Sequence, residues 1–268
     1  MLKKTLNKKI VFVDSSYLFF RALFACKDVH KAQSLYQKML FSSLRRLNLN
    51  ICDIVILALD SPKGSWRKDH DKLYKCNRKE QREAHRDIDW TKAFSLFENT
   101  INRLYYATNF NMILINKLEA DDIIAYGCRY FKDNEVIIVS SDSDFEMLTA
   151  LKNVKLFSPV SKYFKQVSNP YSVLHSKIVK EQADNLVSPI LSEKDYNRRN
   201  LIVNLLTLPE EIEMKVENAL SNLDYDKQYD VNLLSPEMKR LYNNIYDSYI
   251  PPEETPKKRK KYKQETLI

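Results

Sequence analysis

LEADDIIAY (residues 118–126) and VIIVSSDSDFEML (residues 136–148) are the stretches whose reading decides this chain. Each is an acidic cluster set where an apolar, β-branched run meets a helical pattern. NMILI (111–115) reads as a buried strand, after which Glu119, Asp121 and Asp122 open a helix that continues through Ile123, Ile124 and Tyr126. VIIVS (136–140) reads as a second strand, with Asp142 and Asp144 at its carboxyl end. In an open α/β sheet that end is where ligands bind. These carboxylates are therefore expected in one crevice, where they would repel and stay partly protonated unless cations joined them. The economical expectation is a divalent-metal site. Taken singly, either cluster also reads as ordinary capping, because Asp, Glu and Ser favour helix starts. Together with further acids at two other strand ends, capping alone does not account for them.

Working outward, the chain alternates strands and helices up to about residue 160. Lys9–Val13 is a first strand ending at Asp14, followed by the helix SSYLFFRALFA with Ser15 or Ser16 as its cap. His30–Leu47 is a second helix. Asp53–Leu59 is another strand, and Asp60 repeats the pattern of Asp14. Between Lys63 and Arg86 lie nine Lys/Arg against four Asp/Glu, with Trp66, Leu73 and Tyr74 nearly the only large apolar residues. Such a segment is helical in propensity without a core face, so it is expected to stand out from the body. Lys75, Arg78 and Arg82 fall on one side of a helix there, placed to grip phosphates while Tyr74 or Trp66 stacks on a base; a solvated surface helix is the plainer alternative. Asp89–Ala107 returns to an amphipathic helix, and Asn153–Pro159 is a further strand, paired with KYFKQV. From Asn169 to Tyr249 the pattern is mainly helical. The tail from Pro251 reads as disordered.

Composition limits the function. Hydrophobic residues make up 44% and charged residues 29%, as in a globular domain, and no apolar run approaches the roughly 20 residues that span a bilayer. Ile10–Val13 is too short for a signal-peptide core and ends in Asp, so a cytoplasmic protein is expected. Cys26, Cys52, Cys76 and Cys128 match no zinc or redox spacing. Only Gly64 and Gly127 occur, which excludes a glycine-rich phosphate cradle and with it the P-loop and dinucleotide-fingerprint classes. Net charge is +8; six Lys/Arg against three Glu after residue 250 supply +3 of it, leaving +5 on the body. A basic body around an acidic crevice suits a polyanion held near metal ions.

VDSSYLFFRALFA, LALDSPKGSWRKDHDKLYKCNR, LEADDIIAY, IIVSSDSDFEML, VKLFSP and LSEKDYNRRNLI, in that order, resemble the 5′-nuclease superfamily of PIN-like fold, which includes flap endonucleases and the 5′-exonuclease domain of bacterial DNA polymerase I. The likeness is nearest to the ribonuclease H branch of T-even phages and covers about the first 210 residues. It implies an α/β nuclease core with a mainly parallel twisted sheet over residues 1–160, a basic helical arch at about 63–86, a helical DNA-binding subdomain over 161–250 and a basic tail over 251–268. It also implies metal-binding roles for Asp14, Asp60, Glu119, Asp121, Asp122, Asp142 and Asp144, and phosphate contacts for Lys75 and Arg78. Arg21 matches an Arg of the first helix in many members. With Arg67, Tyr74 and Arg82, these make up the expected nucleic-acid contacts. The sequence departs from the family in the helix–three-turn–helix. KIVKEQADNLV supplies Asp184-Asn185 but carries Lys180-Glu181 where Gly-Asp is usual, and no Gly follows. Glu181 and Asp184 are candidates for the second metal site.

The expectation is thus a 5′-3′ exonuclease or flap endonuclease that uses two Mg²⁺ (or Mn²⁺) ions, since all-oxygen donors favour these over zinc. Its substrates are DNA or an RNA–DNA hybrid with a 5′ end or flap, met during primer removal in replication. A monomer is expected, with the tail reaching a sliding clamp or single-strand-binding protein. Two rival readings are a catalytically weak homologue that binds branched DNA, and a PIN-type endoribonuclease; the long basic arch argues against the second.

Overall fold

A computed structural model describes residues 7–179, 190 and 192–253. At its centre lies a six-stranded sheet of β1 (Ile10–Asp14), β2 (Ile54–Leu59), β3 (Asn111–Leu114), β4 (Val136–Val139), β5 (Val154–Ser158) and β6 (Tyr163–Phe164), in the order β3-β2-β1-β4-β5-β6. All pairings are parallel except that of β6 with β5. Chain order reverses between β1 and β4, where Val13 pairs with Val139, so a crevice opens at the carboxyl ends of these two strands.

The continuous apolar runs follow from cover on both faces. Val11, Val13, Val55, Leu57, Ile137 and Val139 share one core with helices α1 (Ser15–Cys26), α2 (Val29–Leu44), α5 (Trp90–Ala107) and α10 (Pro236–Asp247). The alternate positions Ile10, Phe12, Ile54, Ile56, Val136 and Ile138 share the other with α6 (Ala120–Tyr130) and α9 (Glu210–Ser221). Gly127 lets α6 lie against β1: a Cβ there would come within 2.2 Å of the Phe12 ring. Ile212, Val216 and Leu220 of α9 and Met238, Tyr242 and Ile245 of α10 belong to these same two cores, so these two late helices complete the sheet's packing, while Ile178, Ile202 and Val203 gather with Tyr74 in a small separate cluster.

Two local expectations are corrected. Asp14, not Ser15 or Ser16, caps α1, accepting from the Tyr17 amide at 3.0 Å, while both serines are buried inside the helix. The 63–86 segment also does not stand free along its whole length. It forms α3 (Arg67–His70) and α4 (Arg78–Ala84), and Trp66, Arg67 and Tyr74 are buried against the body. Lys75 precedes α4 in a left-handed conformation (φ 49°) instead of sharing a helical face with Arg78 and Arg82. Residues 180–189 and 254–268, which include Glu181, Asp184 and the basic tail, lie outside the described residues. No described helix is long and apolar enough to cross a membrane.

Candidate active site

Four expected carboxylates line one cavity of about 250 Å³: Asp14 at the end of β1, Asp60 after β2, Asp121 in the first turn of α6 and Asp142 after β4. Lys75, Arg78 and Arg82 face them across it. The loops after β2 and β3 are tied together, Ser61 N to Leu118 O at 2.9 Å and Trp66 N to Lys117 O at 2.8 Å, and this holds the basic segment over the acids. The Asp60 carboxylate accepts from the Ala120 amide at 2.9 Å, which docks it on the start of α6. Asp14 is buried, accepting from Ser140 Oγ at 3.2 Å as well as from Tyr17.

The charges are unbalanced within the cavity. Burial, reinforced by Asp60 and Asp142, pushes Asp14 up to about 8. Burial also raises Asp60, with Glu119 adding to the effect, and raises Asp142, with Asp144 adding. Asp121 stands well above the usual carboxylate range, through burial and the neighbouring acids, although Lys75 opposes the rise. Glu119 is the exception. Burial would lift it, yet Lys75, Arg67, the Tyr74 hydroxyl and Arg78 together hold it down to about 2. Its Oε1 lies 2.9 Å from Lys75 Nζ, and its Oε2 accepts from Tyr74 at 2.7 Å. Glu119 lines a second space of about 600 Å³ that shares Asp60, Lys75 and Arg78 with the first.

The remaining expected residues lie elsewhere. Asp122 is fully buried and turned away from the cavity, with its oxygens on Arg67, the Trp66 indole N–H and the Glu119 amide. In the helix it follows Asp121 by about 100°, so the two adjacent acids face different surroundings. Asp144 is paired with Lys177 of α7 (Pro170–Val179) and does not line the cavity. Arg67 and Tyr74, expected on nucleic acid, are instead spent on Glu119 and Asp122. Arg21 is exposed on α1, away from the cavity lining. Arg82 lies over the Trp90 and Phe94 rings. Sequence reading missed an aromatic wall made by Tyr17, Phe20, Phe24 and Trp90. The first three recur at helical spacing on α1, a signal that reads equally well as core.

A family model for the 5′-3′ exonuclease N-terminal, resolvase-like domain matches residues 9–183. The chain belongs to that family. It is 33% identical over 140 residues to ribonuclease H of Enterobacteria phage T4, covering 50% of this chain and 46% of that protein. It is 25% identical over 175 residues to DNA polymerase I of Caldicellulosiruptor bescii, covering 63% of this chain and 19% of the polymerase. The chain thus matches less than half the length of either relative. In fold it is similar to the phage T5 D15 protein co-crystallized with metal ions, at TM-score 0.55 and 18% identity over 89% of this chain and 88% of that one. It is equally similar to the T5 5′-exonuclease with divalent zinc bound, at TM-score 0.55 and 16% identity over 89% and 98%. The 5′-nuclease resemblance and the mainly parallel PIN-like core are therefore shown.

The lining suits a hard divalent cation in type and charge. All its acidic donors are carboxylate oxygens, His and Cys are absent from it, and the acids repel one another as they stand. Among the described residues, no group of three or more His, Cys, Asp or Glu is already gathered tightly enough to hold an ion.

Proposed function

We propose that this protein is a divalent-metal-dependent 5′ nuclease, hydrolysing phosphodiester bonds near the 5′ end or flap of a DNA or RNA–DNA substrate. The observation that carries the reading is the single cavity in which Asp14, Asp60, Asp121 and Asp142 face Lys75, Arg78 and Arg82. Asp14, Asp60 and Asp121 would hold one Mg²⁺-type ion and Asp142 a second, and Glu119 and Asp144 would join these sets only on giving up their ion pairs with Lys75 and Lys177. Asp122 leaves the ligand set because Arg67 occupies it. Bound together, two such ions supply an activated water and stabilise the leaving oxygen. Lys75 and Arg78 orient the scissile phosphate and offset the charge that builds on it during attack. Tyr17, Phe20, Phe24 and Trp90 offer faces on which unpaired bases stack without regard to sequence. The likeness to a phage ribonuclease H and to a DNA polymerase I supports a place in primer or flap removal during replication.

The test is release of 5′ label from a flapped DNA and an RNA-primed duplex, in Mg²⁺ and in EDTA, by the wild type and by Asp142→Asn. Cleavage only in Mg²⁺, lost in the variant while DNA binding in EDTA persists, is the expected result. Tight binding of branched DNA with no cleavage by the wild type would overturn it in favour of a non-cutting fork-binding protein.

A further inference from the structure

The reaction outlined above leaves the Arg67 guanidinium without a role, although its side chain is only 2% exposed and lies against two carboxylates. We propose that Arg67 is a positioning residue: with Asp122 it fixes the Glu119 carboxylate, and through Glu119 the Lys75 ammonium, relative to α8 (Glu193–Val203). The proposal rests on the 5′-nuclease reading of the site.

The geometry leaves little freedom. Arg67 Nη1 reaches Glu119 Oε2 and Asp122 Oδ2, each at 3.1 Å; Nη2 reaches Asp122 Oδ1 at 2.8 Å; and Nε donates to the Ile202 carbonyl at 2.7 Å. Asp122 in turn accepts from the Glu119 amide at 2.9 Å and from the Trp66 indole at 3.1 Å, so backbone and side chain of Glu119 are both set by one ion pair. Glu119 Oε2 is further held by Ser65 and Tyr74, which leaves Oε1 to meet Lys75 at 2.9 Å and Arg78 at 3.7 Å. One carboxylate oxygen is anchored, and the other is aimed at the cations of the reaction. Arg67 itself lines neither space, so it acts only through these partners. A guanidinium suits the position because its planar fork satisfies three acceptor groups at once, whereas an ammonium at one point does not. The link to α8 is reinforced by Tyr74, which packs with Ile178, Ile202 and Val203, and by Arg198 beside Asp71. Whatever moves α8 therefore moves Glu119.

Arg67→Met would leave two buried carboxylates unpaired and is expected to unfold the chain, so the informative variants are Arg67→Lys, Asp122→Asn and their double. Steady-state cleavage of a 5′-flap DNA in Mg²⁺, normalised to the fraction of protein that melts cooperatively, gives kcat and KM. Anisotropy in EDTA gives metal-free DNA affinity, and calorimetry with Mn²⁺ alone gives ion affinity. The expected result is a kcat about 100-fold lower in either single variant, with no further loss in the double and KM and metal-free affinity within about threefold. Mn²⁺ affinity should fall about tenfold. A merely structural role would lower the folded fraction and leave kcat per folded molecule intact, and that outcome overturns the proposal, as do additive losses in the double. If Arg67→Lys does not melt cooperatively, Asp122→Asn is read against the same criteria. If the wild type binds Mn²⁺ but cuts nothing, the 5′-nuclease reading falls while the Mn²⁺ titration still decides: unchanged affinity in the folded variants overturns the positioning role, and a tenfold loss sustains it. A wild type that binds no Mn²⁺ overturns both.

Discussion

Replacing Asp14 by Asn should make the metal-free protein more stable at alkaline pH, while abolishing cleavage. Asp14 is 4% exposed, and its carboxyl rises from 3.8 to about 8 through burial beside Asp60 and Asp142. The folded state thus holds a proton that the unfolded chain releases. The stability this lends is complete below pH 3.8 and lost as pH climbs to about 8. One such group changes stability by about 1.4 kcal/mol per pH unit across its window. Asp60, Asp121 and Asp142 are shifted in the same direction, so they share the loss. Glu119, held at about 2, is ionised in both states above pH 6 and does not oppose it. Asn keeps the cap on the Tyr17 amide, since its side-chain oxygen accepts as well as that of Asp. With relaxation of the neighbouring acids halving the full effect, Asp14→Asn should gain about 3 kcal/mol at pH 8, or about 6–12 °C in Tm, and only about 1 kcal/mol at pH 5. Thermal melts in EDTA from pH 5 to 8.5 measure this directly. Millimolar Mg²⁺ should reverse the order, raising the wild type more than the variant. A variant that melts below the wild type at pH 8 in EDTA, or by the same margin at every pH, would refute the account of an uncompensated acidic cavity.

Lys75→Ala removes the cation 2.9 Å from Glu119 and should lower single-turnover cleavage about 10²- to 10³-fold, with a far smaller change in DNA affinity. Equal losses in both would assign Lys75 to substrate binding alone. Gly127→Ala places a methyl 2.2 Å from the Phe12 ring and should cost about 1–3 kcal/mol in urea unfolding, partly restored by a second change, Phe12→Leu.

The parallel sheet was legible because a strand covered on both faces must be apolar at every position, and IVFV, IVILAL and VIIV have no other economical use. The crevice was legible for a related reason: acids directly after such strands have nowhere to go but the carboxyl end of the sheet. Periodicity failed where polar groups do the packing. Trp66, Arg67 and Tyr74 offer no repeating apolar face, yet they anchor the 63–86 segment by hydrogen bonds to Glu119 and Asp122, partners that are distant in sequence. Nor could spacing tell Asp121 from its neighbour Asp122, one lining the cavity and one holding a guanidinium. Asp144 likewise drew its Lys177 partner from beyond the region where the strand–helix alternation is readable.

The sharing of both cores by late helices bears on how the protein can be dissected in the laboratory. A truncation near residue 160, where alternation ends, would strip Met238, Tyr242 and Ile245 from Phe41 and Phe110 on one face of the sheet, and Ile212, Val216 and Leu220 from Ile123 and Ile124 on the other. Such a fragment would carry most of the acids on a half-clothed scaffold prone to aggregate, and its silence in an assay would say nothing about chemistry.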